Sequence, residues 1–585
     1  MSIRDLGFIK WKDEFANYEN RNSTEFINGV KEEEARYDDK LNTIDKERQN
    51  RWAQAFSDLP TKYEVLYSFK WLTYTFDVRP ENAYCNTLET VSHSFNKVQD
   101  YGTTDDLLWL ITDNSNERED LSLFIYDKNL SCIKEIQKVG DTAVSFSNDI
   151  YFVGAEKTFW FNKIYRLSGK EKKLIYSESE EKYVLSLKSD GASVFIIRKS
   201  AVFQDIGILL NDSLMWIEQG YGTKIPIDKD SIAFNRYFSR NSKIIEYPEG
   251  LFLEDLFSIK GTHYFIFTHG VYNSLYRYND RWIQIMEPTV CNIKYLQEHS
   301  ILLSYPNKPS VIMNLHKDQL IEKKQLEGQH FDLSHSIEPV PWFLVSDKKR
   351  ETKGLVVCGY GSYGMSMRKS QQRLWIPWLK NGYSIAFVCT RGGRENGDEW
   401  WDESRTSSNR INGVLDFATA VKYLQEKFHF TNKNTIIYGR SAGGFLVTAV
   451  SQYLINDVAV IYAAKPYTDV LRTTSNKNAS QTLQEADEFG LADNPVDFIE
   501  ITKISPQETI IDKPMKNPTV LLTGGFLDPE VPFYMPLKYA KALQKAGWSN
   551  VYVRLEKDEG HFTRPTREFR EAQDAAICDS FIEAS

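Results

Sequence analysis

Apolar and polar positions fall into three textures along this chain. From Ser23 to Phe56 the residues are polar, charged and free of proline, with Gly29 as the one breaker. Phe26, Ile27, Val30, Ala35 and Leu41 recur at a loose helical spacing, which predicts one or two helices. Between about 63 and 335 the apolar residues come in short runs: Leu107–Thr112, Leu121–Tyr126, Asp149–Val153, Ala192–Ile197, His263–Thr268 and Ile301–Tyr305. Asn, Asp, Gly and Ser punctuate them. Strands at close, fairly even spacing predict an all-β sandwich, barrel or propeller. At ~40–50 residues per blade this region would make roughly six or seven blades, although no repeated signature marks them.

Beyond about 336 the pattern alternates between periods. Leu355–Cys358, Tyr383–Cys389, Asn434–Tyr438, Val458–Ala463, Thr519–Thr523 and Val551–Leu555 read as buried strands. Gly413–Lys427, Gly444–Leu454, Pro536–Ala546 and Glu568–Glu583 read as helices. Strand alternating with helix predicts a mostly parallel α/β sheet. The expected division is therefore 1–62 helical arm, 63–335 β-domain and 336–585 α/β domain. The length of 585 residues agrees, since single cores stop growing at ~250–300 residues.

Composition removes several functions. The net charge of −9 argues against a nucleic-acid partner, which needs a basic face. Six scattered cysteines without a C-x-x-C pair give neither a disulfide framework nor a structural zinc site. Reduced cysteines suit a cytoplasmic protein. No signal-peptide core follows Met1, and no run of about 18 apolar residues suggests a membrane span. No metal or organic cofactor is expected.

Candidate chemistry concentrates in the last third. Gly439-Arg440-Ser441-Ala442-Gly443-Gly444 follows a predicted strand and opens a predicted helix, the context of a nucleophile elbow. Small residues are needed because the turn is tight, and the serine oxygen is then held beside backbone N–H groups at a helix start. A helix N-cap serine in a glycine-rich turn would have the same letters. The acid and the base follow the serine in this fold. Of the histidines beyond 340, His429 precedes Ser441, which leaves His561, in the loop after Val551–Leu555. Asp528 follows the strand Thr519–Thr523 and is the expected acid; Asp512 lies before that strand. Gly359-Tyr360-Gly361-Ser362-Tyr363-Gly364 lacks the Lys-Ser/Thr of a phosphate loop and sits where the fold takes a second oxyanion donor.

At these residues the chain resembles the prolyl oligopeptidase family, most closely its oligopeptidase B branch. The resemblance rests on Gly359–Gly364, Arg391-Gly392-Gly393 with Glu395, Gly439–Gly444, Pro341–Val345 and Trp11-Lys12-Asp13. It implies a seven-bladed propeller capping an α/β-hydrolase domain, with residues 1–62 packed on the hydrolase and peptides entering between the domains. It further implies that the Tyr360 hydroxyl and the Ala442 N–H bind the oxyanion and that Tyr363 walls the primary specificity pocket. Glu485-Ala486-Asp487-Glu488-Phe489-Gly490 resembles the branch's E-x-E-E-W-G, so Glu485 and Asp487 would bind a basic side chain. Without that resemblance, the run reads as a solvated acidic surface.

Three departures stand out. Arg368 and Ser370 occupy positions where the branch carries acids serving the next subsite. Glu530 replaces an arginine that grips the substrate backbone. The β-domain is shorter than usual in the branch. The expected function is a serine oligopeptidase acting on short peptides after Arg or Lys. The competing expectations are a leader-processing peptidase, an esterase and a non-catalytic propeller binding protein. The sequence does not choose between monomer and dimer.

Overall fold

The structure is a computed structural model, and it describes residues 2–59, 64–80, 86–113, 121–157, 160–200, 203–476, 480–561 and 567–583. The expected boundary at 62/63 and Cys85 lie outside the described residues.

The C-terminal third is built on one eight-stranded sheet. Its order is Asp332–Ser336, Trp342–Ser346, Tyr383–Val388, Gly354–Gly359, Thr435–Arg440, Val460–Ala464, Thr519–Gly525 and Val551–Glu556. The first two strands run antiparallel and the rest are parallel. Asp332–Ser336 straddles the expected boundary at 335/336 and already pairs within this sheet.

The parallel strands are continuous apolar runs because both faces are covered. Leu355, Val357, Ile437, Ile461, Ala463, Val520 and Leu522 enter one core with the helix Thr406–Phe428. Their neighbours Val356, Cys358, Ile436, Val460, Tyr462 and Leu521 enter the opposite core with Trp378 and the helix Arg567–Asp579. The helix Thr406–Phe428 starts before the expected Gly413, because its polar first turns carry no apolar period.

The N-terminal segment packs on this domain. It forms two helices, Thr24–Thr43 and Lys46–Ser57, whose N-cap side chains Ser23 and Asp45 each accept a backbone N–H. Trp52 is fully buried against Trp378, with ring centroids 4.9 Å apart. Phe26 meets Phe533 edge-on at 5.2 Å. A hairpin of Ser2–Asp5 and Lys10–Asp13 precedes the helices; its short, charged strands gave no alternating signal.

The middle region forms, among the described residues, five four-stranded antiparallel sheets and one seven-stranded sheet, each in sequential order. Several hairpins turn through two left-handed residues, such as Ser147-Asn148 (φ 48° and 66°) and Asn211-Asp212 (50° and 64°). Asn and Asp tolerate that conformation, and it matches the strand twist. The first and last sheets meet: Gln297 donates to the Ser68 carbonyl at 2.8 Å, and Lys324 pairs with Glu64 at 3.2 Å. The molecule is thus a β-propeller and an α/β-hydrolase domain. The seven-stranded sheet joins in one run the strands from Tyr67–Trp71 to Cys132–Gln137.

Candidate active site

Each residue expected to do chemistry sits just past the carboxyl end of a parallel strand. Tyr360 follows Gly354–Gly359, Ser441 follows Thr435–Arg440, Asp528 follows Thr519–Gly525 and His561 follows Val551–Glu556. In open α/β sheets this edge is where ligands bind. Residues scattered over two hundred positions are thereby gathered on one rim.

Ser441 turns from strand to helix with φ 57° and ψ −121°, in the half of backbone space that favours glycine. Its N–H is held by the Ala464 carbonyl at 2.9 Å, and the helix Ala442–Ala449 begins at once. A Cβ on Gly439 would lie 1.9 Å from the Gly443 carbonyl oxygen, so the turn closes only with glycine there. A Cβ on Gly443 would lie 2.5 Å from the Gly359 carbonyl; its absence lets the helix start abut the Tyr360 loop.

The structure brings Asp528 to the imidazole: Oδ2 lies 2.8 Å from His561 Nδ1. Both side chains are buried. Asp528 Oδ1 accepts the N–H groups of Glu530 and Val531, which fixes the carboxylate in its loop. The other nitrogen, Nε2, lies 3.3 Å from Glu530 Oε2. The His561 loop is also gripped from below. Arg440 donates to the His561 carbonyl, and Lys465 donates to the Gly560 and His561 carbonyls and pairs with Glu559 at 3.3 Å. Burial, with Arg440 nearby, pulls the Lys465 ammonium down to about 8.

These groups border a cleft of about 560 Å³ lined by Tyr360, Tyr363, Ser441, Ala442, Glu485 and Glu530 among others. Tyr360 and Tyr363 present rings 6.4 Å apart. Burial, followed by the charge of Glu485, pushes the Tyr363 and Tyr467 hydroxyls up.

The acidic run is divided. Glu485 lines the cleft, whereas Asp487, two residues on along the helix Ser480–Phe489, accepts from Ser200 Oγ of the propeller at 3.3 Å. Positions i and i+2 of a helix point to different sides, so Asp487 is not brought to the cleft beside Glu485. Glu488 is buried: it accepts from Tyr363 N at 2.7 Å, Trp401 Nε1 at 3.0 Å and Arg410 at 2.6 Å. It thereby holds Tyr363 in its left-handed conformation (φ 59°). Nothing local in the sequence distinguishes this anchor from its acidic neighbours. Arg440, Lys465 and Glu559 were equally silent, because their partners come from other strands.

Neither Arg368 nor Ser370 lines the cleft. Arg368 is exposed and helps hold the Lys294 ammonium below its usual range, behind the larger effect of burial. Lys369 between them is buried and donates to Asn273 Oδ1 of the propeller at 2.7 Å. Among the described residues, no group of three or more His, Cys, Asp and Glu is placed to hold a metal, and no helix is long and apolar enough to cross a membrane.

Comparison with known proteins agrees with this geometry. Residues 370–582 match the prolyl oligopeptidase family. Protease 2 of Moraxella lacunata is 29% identical over 230 residues, 39% of this chain and 33% of that protein. Dipeptidyl aminopeptidase BI of Pseudoxanthomonas mexicana is 29% identical over 247 residues, 42% of this chain and 34% of that protein. The matched part thus spans about a third of the length of these curated relatives. The solved structure of oligopeptidase B from Leishmania major superposes with a TM-score of 0.82, covering 98% of this chain and 94% of that one at 15% identity, a likeness of fold.

Proposed function

Since residues 370–582 match the prolyl oligopeptidase family, we propose that the chain is a serine peptidase that cuts short peptides after Arg or Lys. The observation that carries this reading is the placement of Ser441, at a strained strand-to-helix turn, on one rim with an Asp528–His561 pair at 2.8 Å. Ser441 Oγ attacks the peptide carbonyl and His561 Nε2 takes its proton. Asp528 orients the ring and stabilises the imidazolium. The Tyr360 hydroxyl and Ala442 N–H receive the oxyanion. His561 returns the proton to the leaving amine, and water then releases the acyl-enzyme by the same steps.

Glu485 supports the basic preference. A carboxylate lining the same cleft as Tyr363 and Tyr467 offers a guanidinium or ammonium an ion-pair partner among aromatic side chains. Asp487 is not needed for it.

Hydrolysis of chromogenic Arg and Pro substrates by wild type, Ser441→Ala and Glu485→Gln tests both statements. Arg turnover should fall at least ~10⁴-fold in Ser441→Ala. Glu485→Gln should lose the preference for Arg while keeping reactivity towards a fluorophosphonate. Absence of any Ser441-dependent peptide turnover would sink the peptidase reading. A peptide library separates a general oligopeptidase, cutting many basic sites, from a leader-processing enzyme, which would leave nearly all of them intact.

A further inference from the structure

The proposed mechanism leaves one charged group unused. Glu530 sits in Asp528-Pro529-Glu530-Val531-Pro532, and its N–H is tied to Asp528 Oδ1 at 2.9 Å. Its carboxylate reaches over the imidazole to lie 3.3 Å from Nε2, the nitrogen that must accept the serine proton. The side chain is 30% exposed and forms part of the cleft wall. His561 therefore lies between two carboxylates, Asp528 on Nδ1 and Glu530 on Nε2.

We propose that Glu530 is a specificity-determining residue that reserves the catalytic base for substrates carrying a positive charge next to the scissile bond. This rests on the serine-peptidase reading above. A carboxylate accepts hydrogen bonds and does not donate them. Its contact with Nε2 is favourable when that nitrogen carries a proton, and a protonated Nε2 has no lone pair for Ser441. In the resting state the contact thus opposes the first proton transfer. A substrate ammonium or guanidinium entering the cleft offers Glu530 a better partner, since charge-assisted bonds to a full cation are the stronger ones. The carboxylate turns to the cation, the Nε2 proton passes to solvent, and the lone pair faces Ser441 Oγ. A neutral substrate gives Glu530 no reason to leave.

The surroundings fit a carboxylate that can exchange partners. Among the described residues, the charged groups that act on the Glu530 carboxyl are His561, Asp528, Arg440 and Lys465. The two cations are committed to the backbone carbonyls of the His561 loop, and Lys465 also to Glu559. Burial raises the Glu530 carboxyl above its ordinary range, with Asp528 adding to the rise and His561 opposing it, so a new cation has most to offer there. The cation could be the α-ammonium of a short peptide or the side chain of a neighbouring basic residue; their chemistry is the same.

The test reads Ser441 labelling by two fluorophosphonates, one with a neutral alkyl chain and one with a terminal ammonium, in wild type, Glu530→Gln and Glu530→Ala between pH 5.5 and 9. The neutral probe should label both variants about tenfold faster than wild type. The wild-type preference for the ammonium probe should shrink by about tenfold in both variants. X-Arg coumarin amides with X = Lys or Gly, each with a free or acetylated terminus, then identify the source. Loss of preference for Lys over Gly in Glu530→Gln assigns the side chain, and loss of preference for free over acetylated assigns the terminus. Equal neutral-probe rates in wild type and both variants, or an ammonium preference that the variants retain, would overturn the proposal. If no peptide is cut, the peptidase reading falls alone, since the two probes still decide the role of Glu530.

Discussion

Ser441 holds a conformation that serine ordinarily avoids, and the turn closes around it because Gly439 and Gly443 have no side chains to resist. That much was legible in the letters G-x-S-x-G between a strand and a helix. Asp528 and His561 were legible too, from chain order and from the shortage of alternatives. Glu530 was visible as a departure, but its place over Nε2 was not, because a side chain's reach across a loop leaves no periodicity. At this scale the Tyr360 hydroxyl has a testable task. On the proposed mechanism, Tyr360→Phe removes one oxyanion donor and should cost ~10²–10³-fold in kcat, about 2.7–4 kcal/mol, with KM little changed. Steady-state kinetics on an Arg substrate would check it; a change confined to KM would assign Tyr360 to ground-state binding instead.

Elements are joined by buried charge as much as by apolar packing. Lys538, in the helix Tyr534–Lys545, is almost wholly buried and reaches Asp13 at 2.8 Å, Glu19 at 2.9 Å and Asp469 at 2.6 Å. It thus ties the N-terminal hairpin and the turn after it to the hydrolase. Asp469 lies near Arg472, which lines the cleft and pairs with Glu19. Lys538→Met would remove the cation that Asp13, Glu19 and Asp469 share and leave the buried Asp469 without its 2.6 Å ion pair, and removing one partner of a buried pair typically costs ~3–5 kcal/mol. Urea unfolding should show that loss; a change under about 1 kcal/mol would mean that water or Arg4 replaces the lysine. The helical spacing near the N-terminus announced helices there, but not their docking partner. Trp52 has no local reason to be buried, and gains one only from Trp378 and Tyr383.

The two large domains meet over a surface that holds a buried acid. The Glu395 carbonyl accepts the Gly270 N–H of the propeller at 2.9 Å, and its side chain accepts the Met367 N–H at 2.6 Å. Burial raises its carboxyl from an ordinary 4.5 to about 7. Folded protein therefore holds a proton there that unfolded protein has released. The resulting stabilisation is complete below pH 4.5 and is lost as pH rises through 7. Glu395→Gln cannot ionise, so its thermal midpoint should fall less than that of wild type between pH 5 and 8, by an amount worth about 2–3 kcal/mol. Parallel curves for the two proteins would place the pH dependence elsewhere, for example at Asp100, whose burial raises it to about 7.

Periodicity was enough for the three textures, the parallel sheet and the all-β region, because burial on one or two faces imposes a period that any reader of the chain can count. Turn chemistry and residue order were enough for Ser441, Asp528 and His561. Resemblance supplied the acidic run, and folding split it. A helix sends Glu485 to the cleft, Asp487 to the propeller and Glu488 into the core, although they are near neighbours in the chain. The grip of Arg440 and Lys465 on the His561 loop, and the Glu530 carboxylate 3.3 Å from Nε2, arise between segments that follow different strands. Such contacts depend on distance in space, which no one-dimensional pattern encodes.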